Sequence, residues 1–481
     1  MPDGSKHFEA KPPKKRKSKQ FGELFEGEGF VQLEHEPADH HTRETVNRLL
    51  QDLDLPTGNE KRPLKYVRCL SDVLVATRMA PNGLFCWPMS NEAFTGEVYT
   101  SDVARKVRKA LEAKGYVWLE QKSSKSDGLA CVYKADKSFI PDGLRFKCHA
   151  AGAAVIVRSK SVSRGGKNYG GKRLPRKQFM PEIQVLEKQV QRINEYHKQH
   201  PLCLPNGIEY VRCRRIFNNG DLKVGGRLYG SWQQMDEDER LAYTIDGQQL
   251  CEIDLKASYL SIAHAILVGE GDLGFDPYSK VKCVREANCP ERQKQLRKLI
   301  KMLVVVYVSQ SLHHPEKEPL TQYPKGKWKR DELTYKPYFT KFQDEYDVTE
   351  KVGFYREQIL DAFPFLKRVR DCPHDVMYME SEIMLTAIDK LTQNGVPSYP
   401  VHDCLLVKLS DKKTALEELK QSQSKYLGRS IHMDCSYFDE WGNKVEEKLT
   451  QSISVSDAFD AMFKTVKYDW SINDDFDVLE D

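Results

Sequence analysis

Leu250-Cys251-Glu252-Ile253-Asp254-Leu255-Lys256-Ala257-Ser258-Tyr259-Leu260-Ser261-Ile262-Ala263-His264 is the stretch that decides how this chain is read. An apolar strand ends in an acid and a helical pattern begins at once. The Asp254 carboxylate is thereby set at an exposed sheet edge, where a hard cation such as Mg2+ can be held through oxygen. One carboxylate does not make a two-metal site. The second acid lies in Tyr399-Pro400-Val401-His402-Asp403-Cys404-Leu405-Leu406-Val407-Lys408, where two β-type runs flank a His-Asp pair as in a hairpin with an acidic tip. If that tip meets the end of the first strand, Asp254 and Asp403 can hold two ions on either side of a transferring phosphate. A satisfied core Asp–His pair explains the second segment equally well when it is read alone. The cost of burying an unpaired charge between apolar strands favours function.

Between the two acids, Arg292 to Tyr307 reads as a basic amphipathic helix on which Arg297 and Lys301, four apart, share a face and can grip one triphosphate. Such helices are common on any surface. Upstream, Arg214-Arg215-Ile216-Phe217-Asn218-Asn219-Gly220 leads into Gly225-Gly226-Arg227-Leu228-Tyr229-Gly230-Ser231-Trp232. Paired glycines beside an arginine let a backbone approach a sugar-phosphate chain while the guanidinium reaches a base edge or phosphate. Met379 to Ile388 forms a helix before the hairpin; its acids Glu380 and Glu382 cap, pair or face solvent, and Glu380 is kept as a further candidate.

In this order the four pieces resemble the family A nucleic-acid polymerases, over residues 214 to about 410. Gly226-Arg227-Leu228 is similar to the family's Thr-Gly-Arg-Leu-Ser-Ser segment, and Asp254 with Ile262-Ala263-His264 is similar to motif A. Arg297 and Lys301 match the Arg-x-x-x-Lys of motif B, and Val401-His402-Asp403 matches the Val-His-Asp of motif C. Tyr307 falls two positions early for motif B, and Cys404 stands where the family often has Glu or Ser, which marks a divergent, compact member of the phage or mobile-element type. The resemblance implies a palm and fingers, two Mg2+ ions (or Mn2+) on Asp254 and Asp403, triphosphate binding by Arg297 and Lys301, and template or primer contacts by Arg227 and His402. At the family's sugar-facing position stands Tyr259, as in family B motif A. Its bulk would clash with a ribose 2′-hydroxyl, so deoxynucleotides are the implied substrates. The implied reaction is attack of a primer 3′-hydroxyl on the α-phosphate of an incoming deoxynucleoside triphosphate on a DNA primer-template. An RNA-synthesising polymerase or primase of the same fold, or an inactive DNA-binding replication protein, are the rival readings.

Around this core, 481 residues suffice for more than one compact unit. Apolar residues at 40% and charged residues at 30% are the balance of a globular protein. Residues 1–41 read as a disordered basic arm, with Lys11, Lys14, Lys15, Arg16, Lys17 and Lys19 suited to phosphates. Residues 42–150 read as a winged helix-turn-helix-like domain. Thr100 or Ser101 caps a helix with the apolar stripe Val103, Val107, Ala110 and Leu111, Gly115 stops it, and strands Tyr116–Gln121 and Leu129–Ala135 follow. Arg105, Lys106, Arg108 and Lys109 would face nucleic acid. A small α+β domain for protein contacts is the alternative. Residues 151–180 read as a basic linker and 181–465 as the palm/fingers domain, opening on a helix near 181–200 lined by Val185, Val190 and Ile193. Residues 466–481 form an acidic tail suited to recruiting replication proteins or to nothing at all. The expected fold is thus α+β. No acidic nuclease pattern precedes residue 150, so proofreading is not expected. Twelve scattered cysteines show no zinc-type spacing and read as reduced thiols. Apolar runs such as Met302 to Val308 are too short to span a bilayer, so no membrane contact and a cytoplasmic, nucleoid-associated or phage-infected-cell location are expected.

Overall fold

The computed structural model describes residues 29–449 apart from 81, 90, 95–96, 123–130, 150–151, 161, 165–166, 170, 206, 331–336 and 349. The Lys11–Lys19 arm, most of the Lys122–Gly128 turn and the 466–481 tail therefore lie outside the described residues.

Gln248–Leu255 is the strand on which the fold is centred, and its last six positions are apolar enough to be covered on both faces: Leu250, Cys251, Ile253 and Leu255 are all buried. It pairs antiparallel with Cys404–Lys408 on one side and with Met433–Phe438 on the other. The ten-stranded sheet runs from Ser398–Val401 through these strands and Thr244–Ile245 to Leu202–Cys203, Ile208–Tyr210, Phe146–Cys148 and His35–Pro37. Helices Val376–Gln393 and Lys412–Leu427 pack together against it. Ser258–Leu267 lies against Val376–Gln393, and Pro290–His313 packs against Ser258–Leu267. The chain is mixed α+β with open sheets, and among the described residues no helix is long and apolar enough to cross a membrane.

Two segments fold where composition argued against structure. Residues 29–41, read as part of a disordered arm, form strands Gly29–Phe30 and His35–Pro37 and bury Val31, Leu33, Glu34 and His35. Val31 and Leu33 are surrounded by charge in the sequence, yet both are buried. The 151–180 segment, read as a linker, buries strand Val155–Val157 parallel to Cys213–Phe217, which also pairs with Gly225–Gly230. One apolar core is continuous from Val31 and Val73 to Ile253 and Leu406. Glu97 takes Arg173 and Arg214 at 3.1 and 2.8 Å, with Arg212 at 3.5 Å, tying the first 100 residues to those strands.

The N-terminal four-stranded sheet has the order Gly29–Phe30, Leu84–Trp87, Cys131–Ala135, Val117–Gln121. Helix Ser101–Ala113 buries Ala104, Val107 and Leu111 against it, and Gly115 turns the chain at φ +73° as expected. Helix Glu182–Gln199 matches the expected span, but its buried face is Ile183, Val190, Ile193 and His197. Val185 is 62% exposed, because it falls on the opposite side of the helical turn.

Candidate metal centre

The register places Asp254 directly opposite Cys404 on one side and Asp434 on the other. Asp403, at the hairpin tip, accepts from the Leu255 amide through its own carbonyl at 3.1 Å, which fixes the tip against the strand end. Ligand atoms of Asp254, Asp403 and Cys404 lie within 4.8 Å of one another. Two side-chain-bearing residues adopt left-handed backbone around this point, Ala257 at φ 49° and His402 at φ 56°. At His402 the geometry is a two-residue hairpin loop with a positive φ at its first position, where glycine is normally preferred. Strain of this kind, of order 1–3 kcal/mol, persists where the surroundings over-determine it, and it gathers at functional sites.

Charge is arranged in two layers. Asp254 meets the Cys404 thiol at 2.9 Å and Lys256 Nζ at 3.2 Å, and Lys256 also pairs with Asp434. Burial and the neighbouring Asp403 push Asp254 up to about 6, against the pull of Lys256. Burial, with Asp254 and Asp403 beside it, also drives the Cys404 thiol up, so it stays protonated and acts as a donor. Below, Ser258 Oγ lies 2.9 Å from Asp403 Oδ2 and 2.8 Å from Glu380 Oε2. A hydroxyl has one proton to give, so two such contacts need a proton on one carboxyl. Fully buried Glu380 is pushed up to about 7 by burial and by Asp403, despite Arg227, and suits that part. Arg227 Nε donates to Glu380 Oε1 at 2.6 Å, and its guanidinium carbon lies 5.6 Å from the Tyr259 ring centre.

Part of the set expected from the sequence gathers here. Asp254, Asp403, Arg227, His402 and Tyr259 are brought together; Tyr259 is 8% exposed, and His402 packs on Tyr229 at 5.9 Å with its pKa lowered by burial and Arg227. Arg297 donates to Asp276 at 2.7 Å and lies 5.8 Å from the Tyr278 ring centre. The Tyr278 hydroxyl is raised mainly by burial, and Arg297, Asp403 and Asp254 also act on it. Lys301 is exposed on the same helix and Tyr307 is buried in its packing. Arg105, Lys106, Arg108 and Lys109 lie on helix Ser101–Ala113 beside the N-terminal four-stranded sheet; Arg105 is engaged by Asp102 and Asn91, Arg108 by Tyr133, and Lys106 and Lys109 are exposed. Sequence reasoning passed over Lys256, Ser258 and Asp434. The last had a signal: Met433 to Phe438 alternates like a strand and carries an acid near its start.

The donor set fits hard divalent ions. Carboxylate oxygens of Asp254 and Asp403 converge on one point, and Asp434 adds a third acid on the neighbouring strand. No protein-family model matches the chain, and no curated protein matches it in sequence.

Proposed function

We propose that the chain is a template-dependent DNA polymerase that adds deoxynucleotides to a primer 3′-hydroxyl, with Asp254 and Asp403 holding two Mg2+ ions. The observation that carries this reading is the meeting of two acids, far apart in sequence, at the end of one sheet, with Arg227 and Tyr259 beside them. On this reading the ten-stranded sheet with its two covering helices is the palm and Pro290–His313 belongs to the fingers. The helix Lys61–Met79, strand Leu84–Trp87, helix Ser101–Ala113 and two following strands, ordered first–third–second in the sheet, support a winged helix.

Asp254 and Asp403 would hold the divalent ions, which would supply a lowered pKa for the attacking hydroxyl and charge neutralisation for the leaving pyrophosphate. The protein's own groups supply position. Arg297 and Lys301 take the triphosphate, and the nucleotide displaces Asp276 from Arg297. Tyr259, stacked against an Arg227 that Glu380 anchors, fills the space a ribose 2′-hydroxyl would need. The 3′-oxygen joins the α-phosphorus as the bond to pyrophosphate breaks.

Primer extension on a DNA template with Mg2+, offering deoxy- and ribonucleotides separately, tests the reading. Wild type is expected to extend with deoxynucleotides, and Asp254→Ala and Asp403→Ala each to lose about 10^3-fold or more, as removal of several kcal/mol of charge stabilisation requires. A folded wild type that makes no product with either nucleotide set would sink it.

A further inference from the structure

A second cluster lies in the core, away from the acids at the sheet end. His35 and Cys148 face each other across the antiparallel pair His35–Pro37/Phe146–Cys148. Ligand atoms of Glu34, His35 and Cys148 lie within 4.8 Å of one another, and all three residues are buried. Asp72, also fully buried, orients them: its Oδ1 accepts from the Glu34 and His35 amides at 3.1 and 2.7 Å and lies 3.0 Å from His35 Nδ1, while Oδ2 accepts from Tyr99 at 2.8 Å. With the Asp72 carboxylate accepting at Nδ1, a neutral imidazole carries its proton there and presents a lone pair at Nε2. That Nε2 is buried without a hydrogen-bond partner. An imidazole held by a carboxylate with its other nitrogen bare is the second-shell arrangement of metal-bound histidine. Burial and the neighbouring Glu34 carboxyl hold the Cys148 thiol well up, with the Val211 amide at the sulfur pulling the other way, so a metal has to displace its proton. Ser231 Oγ, already bonded to Glu34, offers an oxygen for a fourth position. Arg212, the cation beside Cys148, turns its Nη2 to Glu97 and the Ala153 carbonyl.

We propose that Glu34, His35 and Cys148 form a zinc site that fastens the edge strand His35–Pro37 to its neighbour Phe146–Cys148 in the ten-stranded sheet. One nitrogen, one sulfur and one carboxylate oxygen form a borderline donor set that suits zinc better than Mg2+ or Ca2+. Binding exchanges the Cys148 thiol proton for a metal–sulfur bond, the proton leaving to solvent, and gives Nε2 its missing partner. The site is closed and structural, and the palm acids take no part in it.

Metal content and spectroscopy of the full chain decide the matter. The purified chain is expected to carry about one zinc; Cys148→Ser and His35→Gln should lose it, and Asp72→Asn should weaken it about 10- to 100-fold. Asp254→Asn should leave it in place. Cobalt substitution should give tetrahedral d–d bands and a sulfur-to-cobalt charge-transfer band that Cys148→Ser abolishes. X-ray absorption on the zinc-loaded wild type, which needs no variant to fold, should show one sulfur and an imidazole in the first shell. A folded wild type that takes up no zinc, or a first shell without sulfur, overturns the proposal.

Discussion

Two groups of acids show what separates an open site from a sealed one. At the sheet end, Asp254, Asp403, Asp434 and Glu380 crowd together with two cations, Lys256 and Arg227, and Asp254 remains 30% exposed. In the N-terminal core, Asp72 is fully buried and surrounded by donors that belong to it: two amides, an imidazole and a phenol. Burial pushes both Asp254 and Asp72 up, but the first arrangement adds acid against acid, whereas the second offsets burial with four donors on one carboxyl. A carboxylate can therefore be a cost to the metal-free fold in one place and a clamp in the other.

Removing the charge should change stability in opposite directions. Asp72→Asn leaves four donors facing an amide and is expected to destabilise the chain by about 3 kcal/mol. Asp254→Asn, measured with chelator present, relieves repulsion from Asp403 and should stabilise by about 1 kcal/mol after loss of the Lys256 pair. Urea unfolding midpoints read both. Similar losses for the two variants would erase the distinction.

Acid sharpens the comparison. His197, buried beneath the hairpin with Nε2 at 2.8 Å from the Ser398 carbonyl and its ring stacked 3.9 Å from that of Tyr399, is pushed down to about 4 by burial. The unfolded chain takes up that proton below about 6.5 and the folded chain does not. Stability is therefore fully present above about 6.5 and falls as pH drops towards about 4, by roughly 3 kcal/mol over that window. Asp254 works the other way: its raised pKa lets the metal-free fold regain stability as pH falls through about 6. His197→Gln should remove the first slope and leave the second, which unfolding curves between pH 4 and 7 would separate.

A smaller effect probes the cations. Lys256 stands between Asp254 and Asp434 where positive charge is in demand. Lys256→Met should tighten Mn2+ binding by about tenfold, roughly 1.4 kcal/mol, and Asp434→Asn should weaken it by a similar factor because the ammonium then serves Asp254 alone. Titration followed by electron paramagnetic resonance gives both numbers, and shifts of the same sign would remove Lys256 from this role.

The open cluster was legible because its parts are contiguous: a strand, an acid and a helix in one run, then an acid at a hairpin tip. Asp434 was missed because only the register of a third strand brings it to Asp254. The sealed cluster left no local trace. Glu34, His35, Asp72 and Cys148 come from different segments, and their meeting depends on strand pairing that no spacing encodes. Val185 failed for a simpler reason: three apolar residues fit several helical faces, and packing chose the one carrying Ile183.

The N-terminal helix gives the finest test, because its four cations differ in how far they are already engaged. Arg105 is held by Asp102 and Asn91, and Arg108 by Tyr133 on the neighbouring sheet. Lys106 and Lys109 are exposed one turn apart. If this helix meets duplex DNA, Lys106→Ala and Lys109→Ala should each weaken binding about 3- to 10-fold and lower the slope of log affinity against log salt by about 1, with thermal stability unchanged. Arg108→Ala should instead lower stability by about 1 kcal/mol through loss of the Tyr133 contact. Fluorescence anisotropy across a salt series distinguishes the pairs: an unchanged slope for both lysine variants would turn this face away from nucleic acid, and leave the sheet-end acids as the DNA-contacting part of the chain.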